Sequence, residues 1–373
     1  MGKKTLFVLL IGAMLLFPTA VHAGDVQTSA KACIIIDADS GQTLLEHNAD
    51  DPLPMASTTK IMTALLALER GQLDDRVVTG RNAFGVPGTS IYLDLGESLS
   101  LEEMLYGLML ASGNDAAVAI AEHIGGTVEE FAAMMTERAA DLGCTNTVFR
   151  TPHGLPCDGH YTTARDLARI ARAAMAYPKF REIVSTRRAK IPWQDREYDR
   201  VLNNKNKLLA SYDGATGIKT GYTKAAGRCL VFGAERDGME IIGVVLNCYD
   251  WFDEAARLMD AAFDAYERTT LLCRGDGVRF LPVSGGLQDY VPGICASDLS
   301  AVVPKGRLPA IVFELPEQVH APVAQGQRLG SIALELDGEI LCEAPVVAAQ
   351  TCVSNSFQTR WQSLWANWLA LAP

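Results

Sequence analysis

Ser57 is followed three residues on by a lysine, in Ser57-Thr58-Thr59-Lys60, and no other serine in the chain has a lysine at that distance. A serine hydroxyl is a poor nucleophile at neutral pH unless a base removes its proton as it attacks. On a helix, residues three apart share a face, so this spacing sets the Lys60 amine beside the Ser57 hydroxyl. Lys60 serves as a base only when neutral, and burial together with a second cation would lower its pKa. Lys219, which opens the chain's sole Lys-Thr-Gly, is the natural second cation. Between these stretches lies Ser112-Gly113-Asn114. The Ser112 hydroxyl both donates and accepts, which suits it to pass a proton between Lys60 and a leaving amine, and Asn114 can bind a substrate amide and one of the lysines. Taken singly each stretch has a plainer reading: a helix-start serine is usually a cap, a lone lysine is usually solvated, and Ser-Gly-Asn is usually a turn. Three together, widely separated and each unique, favour chemistry.

These residues need elements to hold them. Ala32–Asp37 and Thr43–Glu46, joined through Asp39-Ser40-Gly41, read as a first hairpin. After Pro54 the pattern turns helical, with Ile61, Leu65 and Leu68 on one face, so Ser57 falls at a helix start, where unpaired backbone N–H groups favour negative charge. Capping boxes at Ser100–Glu103 and Thr127–Glu130 mark further helix starts, Gly143 and Pro178 mark stops, and Ser112-Gly113-Asn114 interrupts a helical run. Strands resume near Gly217, Asp237-Gly238 joins two apolar runs as a hairpin, and Asp253–Arg268 has helical periodicity. From about Leu271 short apolar runs alternate with Gly, Pro and Asp, including Asp337-Gly338, as in a small β-rich domain ending near Ala349.

The segments Met55–Ala64, Tyr106–Ala117, Thr151-Pro152-His153-Gly154-Leu155, His160–Leu167 and Gly217–Thr223 resemble the low-molecular-weight penicillin-binding proteins. These are serine-type D-alanyl-D-alanine carboxypeptidases, and Ser-x-x-Lys, a Ser-Asp-Asn-type element and Lys-Thr-Gly are their shared motifs. The resemblance is specific from about Cys33 to Asn247. It implies an α+β fold of the penicillin-recognising serine enzyme type, with a helical lobe on an antiparallel sheet and the site between them. By the same resemblance, the backbone N–H groups of Ser57 and Tyr222 would form the oxyanion hole. Lys219 and Thr220 of the Lys219-Thr220-Gly221 strand would hold the substrate's terminal carboxylate, and Lys205 stands where relatives often have a basic residue serving that end. The implied substrates are peptidoglycan stem peptides ending in D-Ala-D-Ala, with β-lactam antibiotics as inhibitors and no cofactor.

Both ends of the chain have their own character. Lys3 and Lys4 precede an apolar run from Leu6 to Phe17, and Val21-His22-Ala23 offers a cleavage site, the pattern of an export signal. Without that segment 31 basic residues face 44 acidic ones, a net charge of −13, which argues against a nucleic-acid partner. At the other end Phe357, Trp361, Leu364, Trp365, Trp368 and Leu369 recur at helical spacing, too short and too polar on one face to span a bilayer but fit to lie on a membrane surface. A helix docked on the protein's own surface is the alternative. The expected organisation is a signal over residues 1–23, a catalytic domain over 24–270, a β-rich domain over 271–350 and a membrane-associating tail over 351–373. The enzyme would then act on the extracytoplasmic face of the membrane or in the cell wall.

Nine cysteines, at an odd total and without close pairing, read mainly as small buried hydrophobes, although Cys273, Cys295, Cys342 and Cys352 could bridge in the C-terminal region. Three other activities compete. A β-lactamase of class A needs a deacylating glutamate in a Glu-x-x-Leu-Asn segment. The nearest approach is Asp199-Arg200-Val201-Leu202-Asn203, with the shorter acid and too close to Lys219. A zinc peptidase would need three ligands, and His153, Cys157 and His160 match no metal spacing, so no metal is expected. The third is a non-catalytic protein that binds the cell wall or senses β-lactams by acylating without turnover, and the intact Ser57, Lys60, Ser112 and Lys219 argue against it.

Overall fold

The structure, a computed structural model, describes residues 24–357, 360, 361 and 365. The expected export signal, residues 1–23, and Leu364, Trp368 and Leu369 of the tail lie outside them. In chain order, β1 (Gly24–Asp25) precedes the hairpin β2 (Ala32–Asp37) and β3 (Thr43–His47), and a 3-10 turn at Ala56–Thr59 runs straight into α1 (Lys60–Arg70). A small ribbon of β4 (Arg76–Val78) and β5 (Ser98–Ser100) leads to α2 (Leu101–Met109), α3 (Asn114–Gly125), α4 (Val128–Asp141), α5 (Ala164–Met175) and α6 (Pro178–Ser185). A second ribbon, β6 (Arg188–Ile191) with β7 (Arg200–Asn203), and α7 (Leu208–Ser211) precede β8 (Ala215–Thr223), β9 (Gly227–Arg236), β10 (Met239–Leu246) and α8 (Trp251–Ala265).

The first hairpin and the last three strands of this region form one sheet, in the order β1-β3-β2-β10-β9-β8, although the whole helical lobe separates them in sequence. Its central strands are covered on both faces, and side-chain alternation assigns residues to each. Ile34, Ile36, Val231, Ile242 and Val244 pack with the helical lobe. Cys33, Ile35, Leu230, Phe232, Ile241 and Val245 pack instead with Ala255, Leu258, Met259 and Ala262 of α8. Strand β8 is a free edge of this sheet. Asp237 and Gly238 both take positive φ, 51° and 74°, as the tight β9–β10 turn requires.

Helix boundaries follow their caps. Ser100 and Glu103 form the reciprocal box at α2. At α4 only half of the expected box forms: Thr127 accepts from the Glu130 N–H, but the Glu130 carboxylate meets the Thr127 hydroxyl instead of the backbone. Pro178, expected as a stop, opens α6, because proline at the first helical position loses no hydrogen bond. The helix expected over Asp253–Arg268 runs from Trp251 to Ala265. It stops early because Tyr266–Leu272 is taken as strand β11 by β14 (Leu299–Pro304), and the Tyr266 hydroxyl reaches the Leu44 carbonyl at 3.1 Å.

The chain divides into two compact units, the larger ending at Thr269 but including Ala301–Arg307. That excursion is anchored by the Lys305 N–H on the Ala265 carbonyl, at 2.9 Å, and by Val302 in the α8 core. The smaller unit holds a six-stranded sheet, ordered β15 (Ala310–Glu314), β17 (Arg328–Leu336), β18 (Glu339–Ala348), β13 (Tyr290–Cys295), β12 (Gly277–Ser284), β16 (Val319–His320). Asp337-Gly338 joins β17 to β18 with φ of 55° and 87°. Cys273, Cys295 and Cys352 are free thiols, so no bridge joins any two of the four C-terminal cysteines, and Cys33, Cys144, Cys229 and Cys248 are buried as small hydrophobes. In the tail, Phe357, Trp361 and Trp365 are exposed and their rings follow one another at 6.2 Å. Among the described residues no helix is long and apolar enough to cross a membrane.

Candidate active site

Ser57 lies inside the 3-10 turn, and Lys60 is the first residue of α1. Ala56 holds a left-handed φ of 49° at the entrance to that turn. Its carbonyl is met so closely by Gly154 that a β-carbon there would lie 1.8 Å away, so only glycine fits. Lys60 is completely buried, and its Nζ lies 2.7 Å from Asn114 Oδ1, 2.7 Å from the His153 carbonyl and 3.3 Å from Ser57 Oγ. A neutral amine has two N–H groups and one lone pair. In that neutral form the two shorter contacts, to oxygens that only accept, would use both hydrogens and leave the lone pair for the Ser57 hydroxyl.

Asn114 is oriented by its surroundings. Its Nδ2 donates to the Pro87 carbonyl and its backbone N–H to the Thr89 carbonyl, both at 2.7 Å, so Oδ1 is the atom turned to Lys60. Ser112, buried between α2 and α3, carries a positive φ of 63°, a conformation costly for a residue with a β-carbon and common at functional sites. Asp115, which the sequence reading did not single out, fixes this corner. Its carboxylate accepts from Ser90 Oγ and from the backbone N–H groups of Ile91, Leu93 and Ala116 at 2.6–3.1 Å. It also explains Gly113, where a β-carbon would come within 2.8 Å of Asp115 Oδ1.

The opposite wall is the edge strand β8. A β-carbon on Gly221 would lie 2.9 Å from the Ser57 nitrogen, so glycine lets the strand approach the backbone amide at the turn. Lys219 is buried, with Nζ 3.1 Å from the Thr220 carbonyl. Ser57, Ser112, Lys205, Thr220, Gly221 and Tyr222 line one cavity of about 540 Å³. The structure thus gathers the nine sequence-selected residues around one cleft: six line it, while Lys60, Asn114 and Lys219 are buried behind it.

Electrostatics separates the lysines. Burial, then the positive charges of Lys219 and Lys205, hold the Lys60 amine well below the usual lysine range, while Asp115 opposes them. Burial and Lys205 lower Lys219 to about 7. Burial also lowers Lys205.

The two nearby histidines are both tied into the surrounding loops. His153 accepts the Leu155 N–H at Nδ1, and burial is the main cause that brings it down to about 3. His160 accepts the Arg150 N–H at Nδ1, which leaves its Nε2 hydrogen for Thr59 Oγ1 at 2.9 Å, and burial lowers it to about 4. Among the described residues no three histidine, cysteine or acidic side chains converge as a metal site. Asp199 is exposed, and the neighbouring Arg200–Asn203 is strand β7.

A helical lobe on an antiparallel sheet, with a serine-bearing helix start against a Lys-Thr-Gly edge strand, is the fold of the penicillin-recognising enzymes. A family model described as D-alanyl-D-alanine carboxypeptidase matches residues 18–249, and one described as penicillin-binding protein 5, C-terminal domain, matches residues 266–354. The chain belongs to the D-alanyl-D-alanine carboxypeptidase family. It is 34% identical to the D-alanyl-D-alanine carboxypeptidase DacF of Bacillus subtilis, over 98% of this chain and 99% of that one. With DacA of Escherichia coli it shares 31% identity over 91% and 90% of the two chains. Among solved structures it is similar to penicillin binding protein 5 from Haemophilus influenzae, with a TM-score of 0.73 and 30% identity, covering 88% of this chain and 99% of that one.

Proposed function

We propose that the protein is a serine-type D-Ala-D-Ala carboxypeptidase that removes the terminal D-alanine from peptidoglycan stem pentapeptides through a Ser57 acyl-enzyme. The observation that carries this reading is the buried Lys60 Nζ, 2.7 Å from two oxygens that only accept and 3.3 Å from Ser57 Oγ, an arrangement that in the neutral amine leaves the lone pair to the hydroxyl. As Ser57 Oγ attacks the penultimate D-alanine carbonyl, its proton passes to Lys60. The oxyanion sits between the N–H groups of Ser57 and Tyr222. Collapse breaks the peptide bond, and Ser112 relays the proton from Lys60 to the departing amine. Water then hydrolyses the ester, returning Ser57 to its resting form. Lys219 and Thr220, assisted by Lys205, hold the substrate's terminal carboxylate, and that requirement restricts the enzyme to the last residue.

A penicillin presents a carboxylate and a strained amide to the same groups, so it acylates Ser57. Deacylation is expected to be slow without a class A glutamate, which makes the drug an inhibitor. The site is read as extracytoplasmic, after export directed by residues 1–23. The exposed Phe357, Trp361 and Trp365 are read as one face of a membrane-surface helix. The family matches over residues 18–249 and 266–354 support the division into a catalytic domain and a β-rich domain.

Purified protein is expected to release D-alanine from a D-Ala-D-Ala pentapeptide whether or not a chelator is present. Ser57→Ala should abolish both that release and covalent labelling by penicillin. Labelling that survives in Ser57→Ala would remove Ser57 as the nucleophile, and no release by wild-type protein would reject the enzyme. Membrane retention unchanged in a chain ending before Ser354 would reject the tail as an anchor.

A further inference from the structure

The active-site cavity continues past Tyr222 into a second cavity of about 590 Å³, lined by Tyr222, Gly227, Arg228, Asn247, Tyr249 and Trp251. Tyr222, Arg228 and Trp251 line both. Tyr222 and Arg228 are direct cross-strand partners on β8 and β9. Arg228 is fixed in place: Nη1 donates to the Tyr249 carbonyl at 2.5 Å, and the guanidinium lies 4.7 Å from the centre of the Tyr249 ring. Neither contact neutralises its charge. The residues lining the two cavities include three cations, Lys205, Lys207 and Arg228, and no aspartate or glutamate, in a chain whose net charge is −11.

Substrate direction connects this cavity to the reaction. An extended peptide pairs along a free strand edge, and β8 is such an edge. With the terminal carboxylate at Lys219 and Thr220 and the reacting carbonyl at the Tyr222 N–H, the acyl side runs on toward Thr223, past the Tyr222–Arg228 pair. At about 3.3 Å per residue, the second or third acyl-side residue reaches the second cavity. One face of Tyr249 is already covered by the guanidinium. What remains for a ligand is a fixed positive charge beside the Trp251 and Tyr222 walls, a match for a carboxylate on an aliphatic arm and a poor one for a neutral sugar.

We infer that Arg228, seated on Tyr249 and flanked by Tyr222 and Trp251, forms a specificity subsite for acyl donors with a free carboxylate on a side chain upstream of the scissile bond. This rests on the carboxypeptidase reading. The test compares two synthetic substrates, diacetyl-L-lysyl-D-alanyl-D-alanine and the same peptide with succinyl in place of the side-chain acetyl group. Wild-type kcat/KM is expected to favour the succinylated peptide by roughly tenfold, the scale of one charge-assisted hydrogen bond. Arg228→Gln, with an unchanged melting temperature, should bring the ratio to about one, and Tyr249→Ala, which unseats the guanidinium, should give an intermediate ratio. Turnover of both peptides without preference, or a preference that persists in Arg228→Gln, would overturn this subsite and leave the carboxypeptidase standing. No turnover of either peptide by wild-type enzyme would reject both.

Discussion

Two buried cations in the larger unit have opposite surroundings. Arg200 is 4% exposed and meets Glu97 through Nη1 at 3.0 Å and Nη2 at 3.1 Å, and its guanidinium lies 4.7 Å from the Trp193 ring centre. Among the described residues, Lys60 has no carboxylate within bonding distance. The acid that most influences it, Asp115, is already occupied by one hydroxyl and three backbone N–H groups. A buried cation with its own carboxylate keeps its charge and holds structure together. A buried cation placed instead beside a second lysine gives up its proton readily, which is what a base requires.

Substituting methionine at each position tests this contrast most severely. Lys60→Met is expected to lower Ser57 acylation by penicillin about 10³-fold, the scale of a lost general base, while the protein still folds. Arg200→Met should leave the chemistry in whatever protein folds but cost about 3–5 kcal/mol of stability, because Glu97 is left buried and unpaired. Acylation rates and melting curves of the two variants check both. If Lys60→Met only destabilises, or Arg200→Met only slows acylation, the two sites have been assigned the wrong way round.

The pH profile sharpens the same contrast. On the proposed mechanism Lys60 must be neutral and Lys219 charged, and both are pulled below the ordinary lysine value, so activity is limited on the acid side by Lys60 and on the alkaline side by Lys219. As pH falls, Lys60 gains a proton and the base is lost. As pH rises through about 7, Lys219 of the free enzyme loses the charge proposed to hold the substrate carboxylate. In the free enzyme kcat/KM should therefore decline on the alkaline side, by about tenfold per pH unit at the steepest. Acylation by an esterified β-lactam, which lacks the carboxylate, should lack that alkaline limb. An identical limb for both would remove Lys219 from carboxylate binding.

Much of this site was legible because its chemistry is written in local spacing. Ser57 and Lys60 sit one turn apart, so spacing offered a candidate nucleophile and base without a fold, and the family resemblance implied that Lys219 and Thr220 hold the carboxylate. The two larger sheets were legible for the same reason, through alternation and, one in each, the Asp237-Gly238 and Asp337-Gly338 turns. What escaped was long-range. Asp115 gains its role only when Ile91 and Leu93 are folded over it. Gly154 is required only because Ala56 turns its carbonyl into the same space. The end of α8 was misplaced because the helical periodicity continued through Tyr266 while β14, distant in sequence, claimed that residue for a strand. Arg200 drew notice only as part of an imperfect β-lactamase-like segment, and its partner Glu97 lies more than a hundred positions away.

A smaller effect is expected at Asp115. Asn at this position would turn an N–H toward at least one of the backbone donors now facing the carboxylate, at a cost of about 1–3 kcal/mol. Because the Asp115 charge raises Lys60, its removal should also move the acid limb of the pH profile to lower pH. A limb that stays in place while stability falls would confine Asp115 to a structural role.

The smallest effect should come from replacing both members of the buried pair. Arg200→Met leaves Glu97 charged and unpaired, whereas Arg200→Met with Glu97→Leu removes both desolvation costs together. The double variant is therefore expected to melt above Arg200→Met alone, recovering most of the loss to within about 1–2 kcal/mol of wild type. Recovery is incomplete because the Tyr92 and Pro192 carbonyls, which accept from Arg200 at 3.2 Å, lose their donor. No equivalent rescue is expected for Lys60, whose proposed role is chemical and whose loss leaves no stranded carboxylate to neutralise. If the double variant is no more stable than Arg200→Met, the arginine is held by its carbonyl and Trp193 contacts, and the carboxylate is not what distinguishes the two sites.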